Sequence, residues 1–344
     1  MRWLSDRTVA RLRRVAEWPD LGDTKYRVLE ELGSGGMGTV YLAEDRVLGR
    51  RVALKVVGPG AASPEIAART LREARIIARL EHPGIVPVHD AGTLPDGRMF
   101  YAMKRVDGRR LDELAPQVSL PDRLRVFQRV CETVAFAHAR GVLHRDLKPE
   151  NVMVGSFGEV LVLDWGVAKL LELPEAGTPR DGGPTTPAAT AAGTVMGTLA
   201  YMAPEQAEGL ADRVGVVSDV YALGAILYFL LTLRPPFEGE AALARARGAS
   251  AAPPLLVNER APSTPRPLAA IAARAMAADP ASRYASAEEL AAEVARHLDG
   301  EPVSAYRENA WETAARFFAR YRTAILLIAT YLVMRSLILI FLRR

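Results

Sequence analysis

The stretch His144-Arg145-Asp146-Leu147-Lys148-Pro149-Glu150-Asn151 places a carboxylate, then an ammonium two residues on, then an amide five residues on, in one short segment interrupted by proline. Phosphoryl transfer has needs of this kind: a carboxylate beside the attacking hydroxyl, a cation on the phosphate oxygens, metal ligands, and a flexible cover over the triphosphate. One octapeptide decides little by itself. The reading rests on whether the remaining parts occur elsewhere in the chain, in order.

Upstream, two apolar, β-branched runs, Tyr26 to Leu32 and Thr39 to Ala43, flank Gly33-Ser34-Gly35-Gly36-Met37-Gly38, with Val40 just beyond, which predicts a glycine-rich hairpin. Glycine lets backbone approach phosphates closely and adopt conformations closed to other residues. The same spacing opens dinucleotide-binding units when a helix follows the turn, but here a second strand follows. Val52-Ala53-Leu54-Lys55 reads as a third strand ending in a lysine that reaches phosphate oxygens. The run from about Pro64 to Leu80 reads as a helix with Ile66, Thr70, Ile76, Ile77 and Leu80 on its buried face, and it carries Glu73 as a partner for that lysine. Downstream, the apolar run Val160 to Leu163 ends in Asp164-Trp165-Gly166, and Ala203-Pro204-Glu205 and Asp279-Pro280-Ala281-Ser282-Arg283 follow.

With these parts in order, residues 25 to 299 resemble a eukaryotic-like bacterial serine/threonine protein kinase. The octapeptide is similar to H-R-D-L-x-x-x-N, the glycine turn to G-x-G-x-x-G-x-V, the strand end to V-A-I-K, and Ala203-Pro204-Glu205 to A-P-E, while Trp165 departs from the phenylalanine of D-F-G. The resemblance implies a bilobal α+β fold, with a strand-rich N-lobe to about Arg105 that includes helix C, and a mostly helical C-lobe from about residue 106. It implies ATP with Mg²⁺, or Mn²⁺ in its place, and protein substrates. In that template Asp146 accepts the substrate hydroxyl proton and Lys148 neutralises the transferring phosphate. Lys55 reaches the α- and β-phosphates, Glu73 is its ion-pair partner, and Asn151 and Asp164 hold the metal. Gly33, Ser34, Gly35, Gly36, Met37, Gly38 and Val40 cover the nucleotide, with Ala53 and Met103 at the adenine. Lys104 and Arg105 stand where many relatives carry an acidic and an aromatic residue. The bulk of Trp165 should fill the phenylalanine slot, its indole N–H then needing a partner.

Lys148 and Gly197-Thr198-Leu199-Ala200-Tyr201 point to serine/threonine specificity. Asp219, entering the apolar run Val217 to Leu233, resembles the aspartate that anchors the catalytic loop from below, and Arg283 the arginine that pairs with Glu205. His144 is expected to pack in the core and support the loop. Two other classes remain open: a pseudokinase scaffold, which would need a broken catalytic set, and a small-molecule kinase of similar fold.

From Pro174 to Thr194 the chain is rich in Pro, Thr, Ala and Gly, too poor in apolar bulk to offset its ordering entropy. It sits in the place of an activation loop, and Arg145 resembles the arginine that receives an activation-loop phosphate. Thr190 and Thr194 are the expected phosphosites, with Thr185 and Thr186 behind them; a passive spacer is the alternative.

The chain has 344 residues, long enough for two units at ~150 residues each. Residues 301 to 344 hold seven arginines and three glutamates, an excess equal to the whole chain's +4, so the rest is balanced and offers no nucleic-acid surface. Cys131 is the only cysteine, which excludes disulfides within the chain, and His82, His89, His138 and His297 lack metal-ligand spacing. Thr323 to Leu342 is close to the ~20 apolar residues of a membrane-spanning helix. Residues 300–322 precede it as a basic, aromatic linker with Arg316, Arg320, Arg322, Trp311, Phe317, Phe318 and Tyr321, which suits a cytoplasmic boundary. The expectation is a single-pass protein of the cytoplasmic membrane with its kinase domain in the cytoplasm, signalled by a partner, by dimerisation in the membrane, or from the cytoplasmic side. Arg335 near the centre costs ~2.5–3.5 kcal/mol against ~0.3–0.6 returned by each Leu, Ile, Phe or Val. The alternatives are a helix packed on another subunit or an interfacial helix. Residues 1–24 carry no secretory signal and read as a short helix on the N-lobe, or as a membrane-surface contact.

Overall fold

The structure, a computed structural model, describes residues 18–35, 38–57, 71, 74–165, 199–239, 241, 244 and 254–342. Five antiparallel strands open it: β1 (Tyr26–Gly35), β2 (Gly38–Asp45), β3 (Arg50–Val56), β4 (Val88–Thr93) and β5 (Met99–Lys104), in the order β1-β2-β3-β5-β4. Because successive strand residues face opposite sides, Tyr41, Ala43, Val52, Leu54, Val56, Phe100 and Ala102 pack into one apolar cluster with Tyr26 and Leu21. Their alternates Val40, Ala53, Lys55 and Met103 therefore share the opposite face. Register brings these together: Val40 lies opposite both Gly33 and Lys55, and Ala53 lies opposite Met103.

The expected bilobal α+β fold is present, with this strand-rich lobe followed by a helical one. Residues 74–78 are helical, and Ile77 and Leu80 are buried, as the apolar spacing predicts, though in the core of the second lobe and with Leu80 beyond the helix; Ile66 and Thr70 lie outside the described residues. A small sheet of β6 (Gly108–Arg110), β7 (Val152–Gly155) and β8 (Val160–Val162) follows. Around it stand α1 (Leu111–Leu114), α2 (Leu120–His138), α3 (Pro204–Ala207), α4 (Val216–Thr232), α5 (Val257–Arg260), α6 (Arg266–Ala275) and α7 (Ala287–Leu298). Ser119 caps α2 by accepting the Asp122 N–H, and Leu124, Phe127, Val130, Cys131 and Val134 bury one face of that helix. α4 is apolar on all sides and buried from Ser218 to Leu231. Gly224 lets α6 approach it, since a Cβ there would stand 2.6 Å from that of Ala275.

Trp18 and Leu21 pack against the first sheet, and residues 1–17 lie outside the described residues. The last element, α8 (Ala310–Leu342), begins well before Thr323 because Asn309 supplies a cap: its Oδ1 accepts the Glu312 N–H at 2.8 Å, and its own N–H donates to Glu312 Oε2 at 2.9 Å. Described large apolar side chains from Leu326 to Leu342 are half or more exposed. Among the described residues no helix is long and apolar enough to cross a membrane, so the span expected over 323–342 finds no support in the fold. Arg335 interrupts the apolar stretch near its middle, and the first turns of α8 are basic and polar.

Candidate active site

His144 is fully buried, and its ring geometry sets its protonation. Nε2 stands 2.9 Å from the Leu163 carbonyl, which can only accept, while Nδ1 takes the Asp146 N–H at 3.3 Å. The ring is thus neutral with its proton on Nε2, and burial lowers its pKa. Both nitrogens are spent on backbone, which leaves none for a substrate.

Arg145 follows in left-handed backbone at φ 65°, a conformation that costs ~1–3 kcal/mol in a non-glycine residue unless its surroundings impose it. Asp219 and Gln206 impose it. Asp219, in the first turn of α4, accepts the His144 N–H and the Arg145 N–H, each at 2.8 Å, and Gln206 Nε2 donates to the Arg145 carbonyl at 3.1 Å. His138 Nε2, at the end of α2, adds a third contact to Asp219 at 2.8 Å. Burial alone would raise the Asp219 carboxyl, but the bond from His138 and the amide bonds hold it below the ordinary carboxylate range. Asp219 thus locks the backbone directly before Asp146.

Around Asp146 the next residues close a short network. Lys148 Nζ lies 3.2 Å from Asp146 Oδ2, and Asn151 Nδ2 donates to the Asp146 carbonyl at 2.8 Å and to Oδ2 at 3.2 Å. The Leu163 N–H donates to the Asn151 carbonyl at 2.7 Å, which ties this segment to the strand end carrying Asp164. Asp164 is in left-handed backbone at φ 49° and meets Lys55 Nζ at 2.8 Å. Desolvation would raise the Asp164 carboxyl, but the charge and hydrogen bond of Lys55, with smaller contributions from neighbours such as Lys148, together hold the pKa down. Trp165 fills an apolar slot, 2% exposed, its ring tilted against that of His144 at 4.8 Å, and its indole N–H finds the Val162 carbonyl at 3.2 Å. The bulk and the polar requirement of this substitution are both met.

The structure therefore brings together Lys55, Asp164, Asp146, Lys148 and Asn151, with Val40, Ala53 and Met103 on the sheet face that carries Lys55. Gly33, Ser34, Gly35 and Gly38 form the tip of the β1–β2 hairpin. Gly38 is obligatory there: its φ is +133°, and a Cβ would lie 2.2 Å from the Val56 carbonyl oxygen. Gly36, Met37, Glu73, Gly166, Thr185, Thr186, Thr190, Thr194 and Thr198 lie outside the described residues.

Below the site, Glu205 and Arg283 form a bidentate, buried pair at 2.8 and 2.9 Å, as their sequence pattern implies. Ser218 Oγ donates to the same carboxylate at 2.6 Å, and Arg283 also donates to three carbonyls, of Val217, Ala277 and Ala278. His138 and Gln206 were not singled out from sequence. Histidine six residues before a motif and glutamine one residue after another have no distinguishing spacing, and only packing makes them partners.

The protein kinase domain model matches residues 26–295. Serine/threonine-protein kinase PknD of Chlamydia felis is 38% identical over 298 residues, covering 81% of this chain and 31% of that protein. The protein of the same name from Protochlamydia amoebophila is 35% identical over 305 residues, covering 80% and 30%. The chain thus spans about a third of the length of these curated relatives. A crystal structure of the Mycobacterium tuberculosis PknI kinase domain is similar at 29% identity, over 80% of this chain and 96% of that one, with a TM-score of 0.59. Together with the buried Glu205–Arg283 pair and the network around Asp146, these findings show that the chain belongs to the protein kinase family, among its eukaryotic-like bacterial serine/threonine members.

Proposed function

We propose that residues 25–299 transfer the γ-phosphate of ATP to serine and threonine hydroxyls of proteins. The observation that carries this reading is the convergence of Lys55 and Asp164 from one direction and Asp146, Lys148 and Asn151 from another on one site. Asp146 accepts the hydroxyl proton, Lys148 offsets charge on the transferring phosphoryl group, and Lys55 holds the α- and β-phosphates. The glycine hairpin covers the triphosphate, and the Ala53 and Met103 pair lies against the adenine. Glu73 serves as the alternative partner of Lys55.

The family uses a divalent metal, and the residues here fit Mg²⁺. Asp164 offers carboxylate oxygen, and Asn151, its amide nitrogen spent on Asp146, offers its amide oxygen, both hard donors. A bound Mg²⁺ would neutralise phosphate charge. Among the described residues no cluster of three His, Cys, Asp or Glu competes as a metal site.

Asp146→Asn and Lys55→Met test the reading with Mg·ATP and a generic protein substrate: each should abolish phosphorylation while the melting curve is retained, and phosphoamino-acid analysis of the parent should show phosphoserine and phosphothreonine. Variants with near-parental turnover would sink it. Phosphate on a small metabolite instead would favour the small-molecule alternative, and an inert parent the pseudokinase. Thr190 and Thr194 are proposed as activating phosphosites, with Arg145 as the receiver of the phosphate. For the tail, the exposed apolar surface of α8 supports membrane association through residues 323–342, with the kinase domain on the cytoplasmic side.

A further inference from the structure

A buried carboxylate fastens the segment that leads into α8. Glu293 on α7 is 2% exposed, and its Oε2 accepts the Ser304 N–H at 2.8 Å, the Ser304 hydroxyl at 2.8 Å and the Ala305 N–H at 3.2 Å. Its Oε1 takes the Arg296 guanidinium. Having donated to Glu293, the Ser304 hydroxyl accepts from Arg274 Nη1 at 3.0 Å. Val303, one residue earlier, is buried in the helical core, yet Ser304 itself is exposed. An exposed residue thus donates its hydroxyl to an acceptor that is buried.

The start of α8 hangs from the same segment. Tyr306 Oη donates to Glu312 at 2.9 Å, and Glu308 pairs with Arg316 at 2.9 Å. The approach of α8 to the kinase domain is therefore held in part by one carboxylate and one valine, beside Arg274 on Ser304, the contact of Arg266 with Tyr306, and the packing of Ala305 and Tyr306 on the core.

We propose that Ser304 is an autophosphorylation site and that phosphate there opens this clasp. The step rests on the phosphotransferase reading above. Ser304 Oγ bonds to the γ-phosphorus of ATP, the bond from that phosphorus to the β,γ-bridging oxygen breaks, ADP leaves with the electron pair, and the hydroxyl proton passes to Asp146. A donor O–H becomes a phosphate monoester of about −1.5 to −2 charge whose oxygens accept hydrogen bonds. Against Glu293 Oε2 it removes one hydrogen bond and adds like-charge repulsion at a carboxylate that is itself shielded from water. Arg274 and Arg296 bring two positive charges, too few for a phosphate dianion and a carboxylate together. Relief comes by swinging residues 303–305 outward, which takes two amides off Glu293 and Val303 out of the core.

Full-length protein incubated with Mg·ATP tests both halves, by peptide mass spectrometry and by the rate of tryptic cleavage after exposed Arg307. The expected results are phosphate on Ser304 in the parent and none in Asp146→Asn, with cleavage at least tenfold faster after modification. Ser304→Glu reads the clasp without catalysis and should show the same tenfold gain. Adding Glu293→Gln should return protection to within threefold, and Ser304→Ala, which adds no charge, should stay within threefold of the parent. A protein that phosphorylates a generic substrate while Ser304 stays bare overturns the site. Equal cleavage of the parent and Ser304→Glu overturns the switch. A protein that phosphorylates nothing fails at the phosphotransferase reading instead, and the Ser304→Glu comparison still decides the clasp.

Discussion

α4 and the C-terminal half of α8 are both predominantly apolar, the second interrupted by Arg335, and they end in opposite surroundings. In α4, Leu223, Ile226, Leu227 and Leu230 are wholly buried, whereas in α8, Leu326, Leu332 and Leu339 are half or more exposed. Apolar character all round a helix marks it as a core element or a lipid-facing one without choosing between them. What separates the two is how they are held. α4 is entered through Asp219, which grips the catalytic segment, and it accepts α6 against Gly224. α8 is capped by Asn309, braced by the Glu308–Arg316 pair, and joined to the kinase domain through the Glu293 clasp, all at or before its basic first half.

The largest expected break in this comparison comes from one charge placed in each helix. Leu227→Asp buries a carboxylate without a partner and should cost more than about 4 kcal/mol, enough to remove the cooperative melt. Leu332→Asp should leave the melt within about 0.5 kcal/mol. Equal shifts in calorimetry would mean that α8 belongs to the core.

Next in size is the anchor. Asp219→Ala orphans two buried amides and a histidine, which should cost about 2–4 kcal/mol and lower the phosphorylation rate at least ~10²-fold by loosening the backbone before Asp146. A chain ending at Asn309 should keep its rate within twofold of the parent. Kinase assays on the two proteins side by side check this, and a truncated chain as impaired as Asp219→Ala would show that α8 supports the site.

The tail effect follows. On the membrane association proposed for residues 323–342, the full chain should sediment with vesicles at high salt, and Arg335→Leu should tighten that retention by removing a charge from the apolar stretch. Release by salt alone would point to charge attraction to anionic headgroups instead, because salt screens that attraction.

Acid provides the smallest and most selective probe. Burial holds the pKa of His144 down, and the same cause lowers His82, His89 and His297. Between the unfolded value of ~6.5 and these depressed values the unfolded chain binds more protons, so stability is full above ~6.5 and is lost as pH falls. Asp219, depressed from the carboxylate range, adds a loss only below ~4. The melting temperature should therefore drop from pH 7.5 to 5.5. α8 contains no histidine, so vesicle retention should not change over that range. A flat melting profile would deny the buried neutral histidine.

Much of the site is written locally. Alternation in residues 39–43 and 52–55 sets two strands and puts Val40, Ala53 and Lys55 on one face. Proline at 149 and the amide at 151 shape the turn beside Asp146, and the glycine at 38 answers a steric need in the hairpin. Period and turn chemistry act over a few residues, so a sequence displays them directly. Partnership does not follow from spacing: Lys55 meets Asp164 across 109 positions, and Asp219 reaches back 75 to His144, an anchor that the family resemblance implied and residue spacing alone did not. Many carboxylates in the chain are chemically equal candidates for those contacts, and only the packing of distant elements selects among them. The same holds for His138 and Gln206, which no spacing marks, and for the segment around Ser304, which reads as linker until Glu293 is seen to hold it. The two apolar helices end the same way: composition marks both as rich in apolar side chains, and tertiary contacts bury only α4.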